Sequence, residues 1–207
     1  MPRDVHCALS HADAGQPLAA RDAWLRELRG RQLTEVLGWA PEDAHYGGWG
    51  YSTVIPRKPP AGTDVQDAFL ESNLSSTAFA LDGLAAAGVP ATDPAFVAAR
   101  RFVERQQNYA ESDPGPEDDG GFYFVPDDEV RNKAGRSGAG FHSYGTMTAD
   151  GLRSLLRCGY PSEGPRAAAA RRWLRERFDA AHHPGPYRAE REEVRDSAWF
   201  YWAAAFS

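Results

Sequence analysis

The sequence predicts an all-α protein built from antiparallel helical hairpins, and three observations carry that expectation. Ser75–Gln106 and Thr146–Arg177 align without a gap: Thr77 meets Thr148, Leu81 meets Leu152, Leu84 meets Leu155, Gly88 meets Gly159 and Pro94 meets Pro165, always 71 residues apart. Self-similarity of this kind is the signature of a repeat architecture, in which each unit buries its apolar face against the next. Within each copy the apolar residues fall at helical intervals, and a glycine followed by prolines marks where one helix stops and another starts.

Taken along the chain, Ala19–Leu25 reads as the tail of a second helix from a preceding unit. A glycine- and acid-rich connection, Pro41 to Tyr51 with Gly47-Gly48-Trp49 at its centre, is echoed by Pro116 to Phe124 with Gly120-Gly121-Phe122. Ile55–Asp67, punctuated by Pro56, Pro59, Pro60 and Gly62, is expected as an extended surface excursion. In the first unit Leu74, Ala78, Leu81, Leu84 and Ala85 form a helical stripe, and Gly88 supplies the left-handed residue that ends it. Pro90 blocks continuation, Asp93 offers an N-cap, and Pro94 suits the first position of a second helix. That helix runs towards Gln107, burying Phe96, Ala99, Phe102 and Val103 and turning Arg100, Arg101, Glu104 and Arg105 mostly outwards. The two full units occupy roughly residues 75–107 and 146–178. Asp179–Arg191, with His182-His183-Pro184-Gly185-Pro186, is expected as another loop, and the apolar Ala198–Phe206 as the start of a further first helix. The expectation is therefore one domain over residues 1–207 with half-repeats at both ends.

Composition narrows the function classes. A chain of 207 residues with 42% apolar residues can bury a real core, which excludes a disordered or fibrous protein. Its net charge of −6 supplies no basic field for phosphate backbones, so nucleic acid is not an expected partner. Cys7 and Cys158 are far apart and have no second thiol nearby, so neither a disulfide framework nor a CxxC site is expected. Met1–Cys7 has acid and histidine where a secretory signal needs an apolar stretch, and no run reaches a membrane span, so the expected location is cytoplasmic. No amphipathic membrane anchor is identifiable. Trp199-Phe200-Tyr201-Trp202 is an aromatic segment that something must cover, either the rest of the chain, missing hairpins or a second copy.

The hairpin repeats, the Phe-Val-x-Arg-x-Gln helix end from Phe102 to Gln107 and the Gly-Gly-aromatic turn after it resemble the prenyltransferase and squalene oxidase repeat. That repeat belongs to the terpenoid cyclase and protein prenyltransferase superfamily, and the likeness, to the squalene-hopene cyclase type, spans roughly Trp24 to Phe206. The resemblance implies an α/α toroid, with inner and outer helices around a central cavity for an isoprenoid; two hairpins and two halves would form an incomplete arc of it. In the cyclases a motif from an aromatic through Gln to Gly-x-Trp joins successive hairpins. Phe102, Gln106 or Gln107, Gly121 and Phe122 are its counterpart, with phenylalanine in place of tryptophan. The family's Asp-x-Asp-Asp-Thr acid motif is matched here by Asn73-Leu74-Ser75-Ser76-Thr77. Asparagine and serine cannot protonate an alkene, so any cyclase- or isomerase-like activity lacks its initiating acid in this chain, and no catalytic residue is assigned. The prenyltransferase branch holds zinc with aspartate, cysteine and histidine; Cys158 beside Gly159 matches no such motif, so no metal and no cofactor is expected.

Candidate ligand-binding residues follow from the same comparison and from residue chemistry. Trp49, Tyr51, Phe122, Phe124 and Tyr144 could line a lipid cavity or instead lock each hairpin to the next. Asn73 and Ser76 occupy the acid-motif positions. His142 and Tyr144 sit in Phe141-His142-Ser143-Tyr144-Gly145-Thr146, where a second inner helix begins; the alternative has Ser143 and Thr146 capping that helix while His142 and Tyr144 pack. Glu117-Asp118-Asp119 and Asp127-Asp128-Glu129 lack the DDxxD spacing that holds Mg²⁺ for diphosphate chemistry and read as solvated turn acids. His182-His183 has no third ligand, and Arg131, Lys133 and Arg136 read either as a head-group contact or as a solvated loop. The function expected is a cyclase-like repeat protein binding an isoprenoid or other apolar ligand; the alternative is a non-catalytic helical scaffold that binds protein.

Overall fold

The computed structural model describes residues 15–62 and 70–206. Six helices dominate: α1 (Gly15–Arg31), α2 (Leu74–Ala86), α3 (Pro94–Arg105), α4 (Gly145–Arg157), α5 (Pro165–Glu176) and α6 (Trp199–Phe206). A two-residue ribbon, β1 (Arg136–Ser137) antiparallel to β2 (Gly140–Phe141), is the only sheet among the described residues. The all-α expectation is met. Cys7, the N-terminal segment and the last residues of the Ile55–Asp67 excursion lie outside the described residues.

The sequence repeat is reproduced residue for residue. Moving the bounds of α2 and α3 by 71 positions gives the bounds of α4 and α5. The reason is local chemistry. Gly88 and Gly159 both end their helix with positive φ, 76° and 75°. In each case the next backbone N–H, from Val89 or Tyr160, donates back to Leu84 or Leu155. Asp93 accepts from the Ala95 N–H and Pro94 takes the first position of α3; Gly164 and Pro165 open α5 in the same way, without a side-chain cap. Asp93 also receives both guanidinium nitrogens of Arg29 at 2.8 Å, which ties α1 to α3.

The helix towards Gln107 stops two residues early, at Arg105, because Gln107 is needed elsewhere. Its amide nitrogen donates to the carbonyls of Gly120 and Arg166, both at 2.9 Å, and its backbone pairs with Phe122. Gln32 does the same one repeat earlier, reaching the carbonyls of Gly47 and Ala95 at 2.8 Å. The glycines of both turns are required. Gly47 and Gly120 have φ of 88° and 86°, and a Cβ there would lie 2.1 Å and 2.9 Å from the carbonyl oxygens of Ala98 and Ala169.

Packing centres on α4, which lies against α2, α3, α5 and α6. Phe96, Phe102, Val103, Leu81, Leu84 and Leu155 are fully buried between the hairpins, each stabilising the fold by roughly 1.5–3 kcal/mol. The extended segment Phe122–Phe124 bridges the α2 and α4 N-termini, its carbonyls accepting from Tyr144 N–H at 3.1 Å and Leu74 N–H at 3.0 Å.

The C-terminal aromatics are largely covered by the chain itself. Trp202 is buried beside Trp173, Trp199 packs on the same cluster, and Tyr201 reaches α2 and α4; Phe200 alone of the four is exposed. Asp179–Arg188 is a loop, held by hydrogen bonds to Asp196 and between His183 and Tyr187, while the last three residues of the expected loop belong to a 3-10 segment over Ala189–Ala198. No helix among the described residues is long and apolar enough to cross a membrane.

Candidate functional site

Two neighbouring hollows open where the first turns of α2 and α4 meet the aromatic turns. The larger, about 340 Å³, lies between α1 and α2 and is lined by Leu28, Trp49, Tyr51, Ser76, Phe79 and Ala80, with Arg31 and Gly50. The smaller, about 200 Å³, is bounded by Tyr51, Ser75, Phe124, Tyr144, Met147 and Tyr201, with Arg131 and Lys133 at its basic side. Tyr51 belongs to both. Phe79, 63% exposed, stacks on Tyr201 at 6.3 Å with the rings 11° apart, so a wall residue of the larger lobe packs on one of the smaller.

The sequence-predicted residues divide accordingly. Trp49, Tyr51 and Ser76 line the larger lobe; Tyr51, Phe124 and Tyr144 line the smaller. Asn73, Phe122 and His142 line neither. Asn73 is fully buried because it caps α2, its Oδ1 accepting from the Ser76 N–H at 2.8 Å. Phe122 is turned into the core under Gly151, where a Cβ would come within 2.4 Å of its ring. The ring of His142 lies half-buried outside the cleft, and burial lowers its pKa. Trp49 also has a structural duty: its indole N–H donates to the Leu28 carbonyl at 2.7 Å, and its backbone N–H to Thr77 Oγ1 at 3.0 Å. Phe122 repeats the second contact with Thr148.

The smaller lobe is electrostatically quiet at its centre. Burial raises the Tyr144 pKa far above that of a free phenol, so it is neutral there, and its hydroxyl has no hydrogen-bond partner among the described residues. Burial likewise raises Tyr201, whose hydroxyl donates to Asp150 Oδ2 at 2.6 Å and lies 3.3 Å from Ser75 Oγ. Asp150 is the only fully buried carboxylate among the described residues. Its second oxygen takes the Arg153 guanidinium at 2.7 Å, and burial still raises its pKa above the ordinary aspartate value. Lys133 is held by Ser197 Oγ at 2.9 Å, its pKa lowered by burial. Arg131 lies over the Phe124 ring and pairs with Glu71. Arg131 and Lys133 are thus built into one wall of the lobe rather than lying in a solvated loop.

Sequence reasoning missed Asp150 and weighed His183 only as one of a histidine pair without a third ligand. Asp150 shares a helical face with Met147 and Ser154, all buried, and that spacing was the available signal. His183 lies in a proline-glycine stretch that carries no such periodicity. It is fully buried: Nε2 accepts from the Thr146 N–H and contacts Thr146 Oγ1, and Nδ1 bonds the Tyr187 hydroxyl at 2.8 Å. These bonds cap α4 from outside, because the N-cap residue itself, Tyr144, offers no side-chain cap and Ser143 donates to Asp119 instead. Asp119 is no solvated acid: it also accepts from the Gly121 N–H and, at 2.7 Å, from the Trp173 indole.

A third hollow, about 610 Å³, lies on the far side of α4 and α5 and includes Ala149, Leu152, Leu174 and Ala205. It holds none of the predicted residues. On the first hairpin the corresponding surface is covered by the second, with Arg100 over Tyr160 and Arg157 paired to Asp82. Cys158 is buried, and burial pushes its thiol up to about 12.

No protein-family model, curated protein or solved structure matches this chain.

Proposed function

We propose that this chain is a terpenoid cyclase-like helical-repeat protein that holds an isoprenoid or comparable apolar molecule in the cleft at the α2 and α4 N-termini. In this reading α2, α4 and α6 form the inner row, and α1, α3 and α5 the outer row, of an arc of α/α toroid. One observation carries it: Trp49, Tyr51, Phe79, Phe124 and Tyr144 line two neighbouring hollows that share Tyr51 and have mostly apolar walls. Concave, mostly aromatic walls with a few placed polar atoms are the usual build of a small-molecule site. Lobes of about 340 and 200 Å³ stand at or below the low end of such sites, roughly 300–1,000 Å³, and so match a short prenyl chain rather than a folded triterpene.

The reading is of binding, not proton-initiated cyclisation. Asn73 is spent as a helix cap, Ser75 and Ser76 carry no acidic proton, and Asp150 has both oxygens engaged. Farnesol titrated against the protein, followed by tryptophan fluorescence, tests it. Saturable binding is expected, weakened about tenfold or more by Phe79→Asp, which puts a charge on the apolar wall at an exposed position that leaves the core intact. Absence of saturable binding, or affinity unchanged by that substitution, refutes the proposal. The scaffold reading rests on the exposed Phe200 and Trp24, 84% and 69% accessible. Self-association in sedimentation that Phe200→Asp abolishes would favour it.

A further inference from the structure

Outside the cleft, three segments bring a histidine and two carboxylates to one point. His45 comes from the first Gly-Gly-Trp turn, Glu71 from the approach to α2, and Asp127 from the loop after the second aromatic turn. His45 Nε2 lies 3.0 Å from Asp127 Oδ2 and 3.9 Å from Glu71 Oε1, and the three ligand atoms are all within 4.8 Å of one another. Ligand atoms bound about 2.0–2.2 Å from a shared four-coordinate ion stand about 3.3 Å apart, so small adjustments of two partly exposed carboxylates close the set.

The surroundings of the buried histidine point the same way. Ser72 Oγ lies 3.1 Å from His45 Nδ1 and 3.0 Å from the His45 carbonyl, so one ring nitrogen has an outer partner while the other, Nε2, faces carboxylate oxygens, which is the arrangement of metal-binding histidine. The support is rigid. Ser72 is fully buried against Gly48, where a Cβ would lie 2.6 Å from the serine Cβ. Asp127 is carried by a loop that Asn132 pins through the Phe124 N–H and the Val125 and Asp128 carbonyls. Arg131 holds the outer oxygen of Glu71 at 3.3 Å, leaving the inner one turned to His45.

We propose that His45 Nε2, Glu71 and Asp127 form a binding site for a divalent transition-metal ion of the Zn²⁺ type, with solvent completing the coordination on the exposed side. The ion fastens the first aromatic turn to the loop that follows the second. Two carboxylates and an imidazole beside one guanidinium suit a doubly charged, borderline-soft cation better than Mg²⁺ or Ca²⁺, which favour all-oxygen sites.

The test is a Zn²⁺ titration by calorimetry of the full chain after dialysis against chelator, beside Glu71→Gln and Asp127→Asn. Both substitutions keep shape at partly exposed positions, and circular dichroism checks that each variant folds. One Zn²⁺ per chain, at least about tenfold weaker in either variant and raising the melting temperature of the wild type only, is the expected result. No binding by the folded wild type, or binding undiminished in the Glu71→Gln, Asp127→Asn double variant, overturns the site and leaves a histidine hydrogen-bonded to Asp127.

Discussion

Buried His183 makes acid sensitivity of this fold quantitative. Its imidazole is fully enclosed, and burial, aided by the nearby positive charge of Lys133, brings its pKa from 6.5 down to about 4. A lowered histidine pKa means that the unfolded chain binds the extra proton first, so stability rises with pH between about 4 and 6.5 and is lost as pH falls through that window. At 1.36 kcal/mol per pKa unit the full loss is about 3 kcal/mol, and going from about pH 7 to about pH 5 removes about 2 kcal/mol of it. His183→Gln keeps an acceptor near the Thr146 N–H but cannot titrate. At neutral pH it should cost about 1 kcal/mol for the Tyr187 bond. Urea unfolding of both proteins at the two pH values, followed by tryptophan fluorescence, isolates the effect, since other titrations cancel in the comparison. The wild type should lose about 2 kcal/mol more than the variant on acidification. Equal losses in the two proteins would mean that His183 is hydrated or already protonated, and the enclosed-cap argument would be wrong.

Other substitutions separate causes that the repeat makes comparable. Gly47→Ala and Gly88→Ala place alanine at similar φ, 88° and 76°, but only the first drives a Cβ into backbone, 2.1 Å from the Ala98 oxygen. Thermal melts should show a loss of about 1–2 kcal/mol at Gly88 and more than about 3 kcal/mol at Gly47; equal losses would deny the close approach. Asp150→Asn removes a charge that burial disfavours while leaving an acceptor for Tyr201. Because the aspartate pKa is raised, its stabilising contribution falls as pH rises, so the variant should be at least as stable as wild type at neutral pH and gain relative to it from acid upwards. A drop of more than about 1 kcal/mol at neutral pH would show that the Arg153 pair outweighs desolvation.

What could be read from the sequence was local. Gly88, Gly159, Asp93, Pro94 and Pro165 act on their own backbone or on the next few residues, so their meaning survives without any knowledge of packing. The hairpin repeat, the helix ends at Gly88 and Gly159 and the core stripe of α3 followed from them. Part of the cleft was legible too, since aromatic residues beside Gly-Gly turns must pack near helix starts; Trp49, Tyr51, Phe124 and Tyr144 do line it.

Tertiary structure alone decided the rest, because those features join residues that only the docking of hairpins brings together. Gln106 and Gln107 are indistinguishable neighbours in the sequence, yet one is buried with its amide unpartnered among the described residues and the other ties two hairpins. Phe122 and Trp49 occupy matching turns and both are buried in the core, but Gly151 lets the phenylalanine ring close on the α4 backbone, whereas Ala80 stands at the corresponding place on α2 and Trp49 keeps an edge on the larger hollow. Asp150 becomes a buried acid only because α6 lays Tyr201 over it, and His183 becomes a cap only because its loop folds back on α4. Periodicity and capping are encoded within a few residues of chain, whereas burial, partner choice and pKa are set by whatever distant segment arrives opposite.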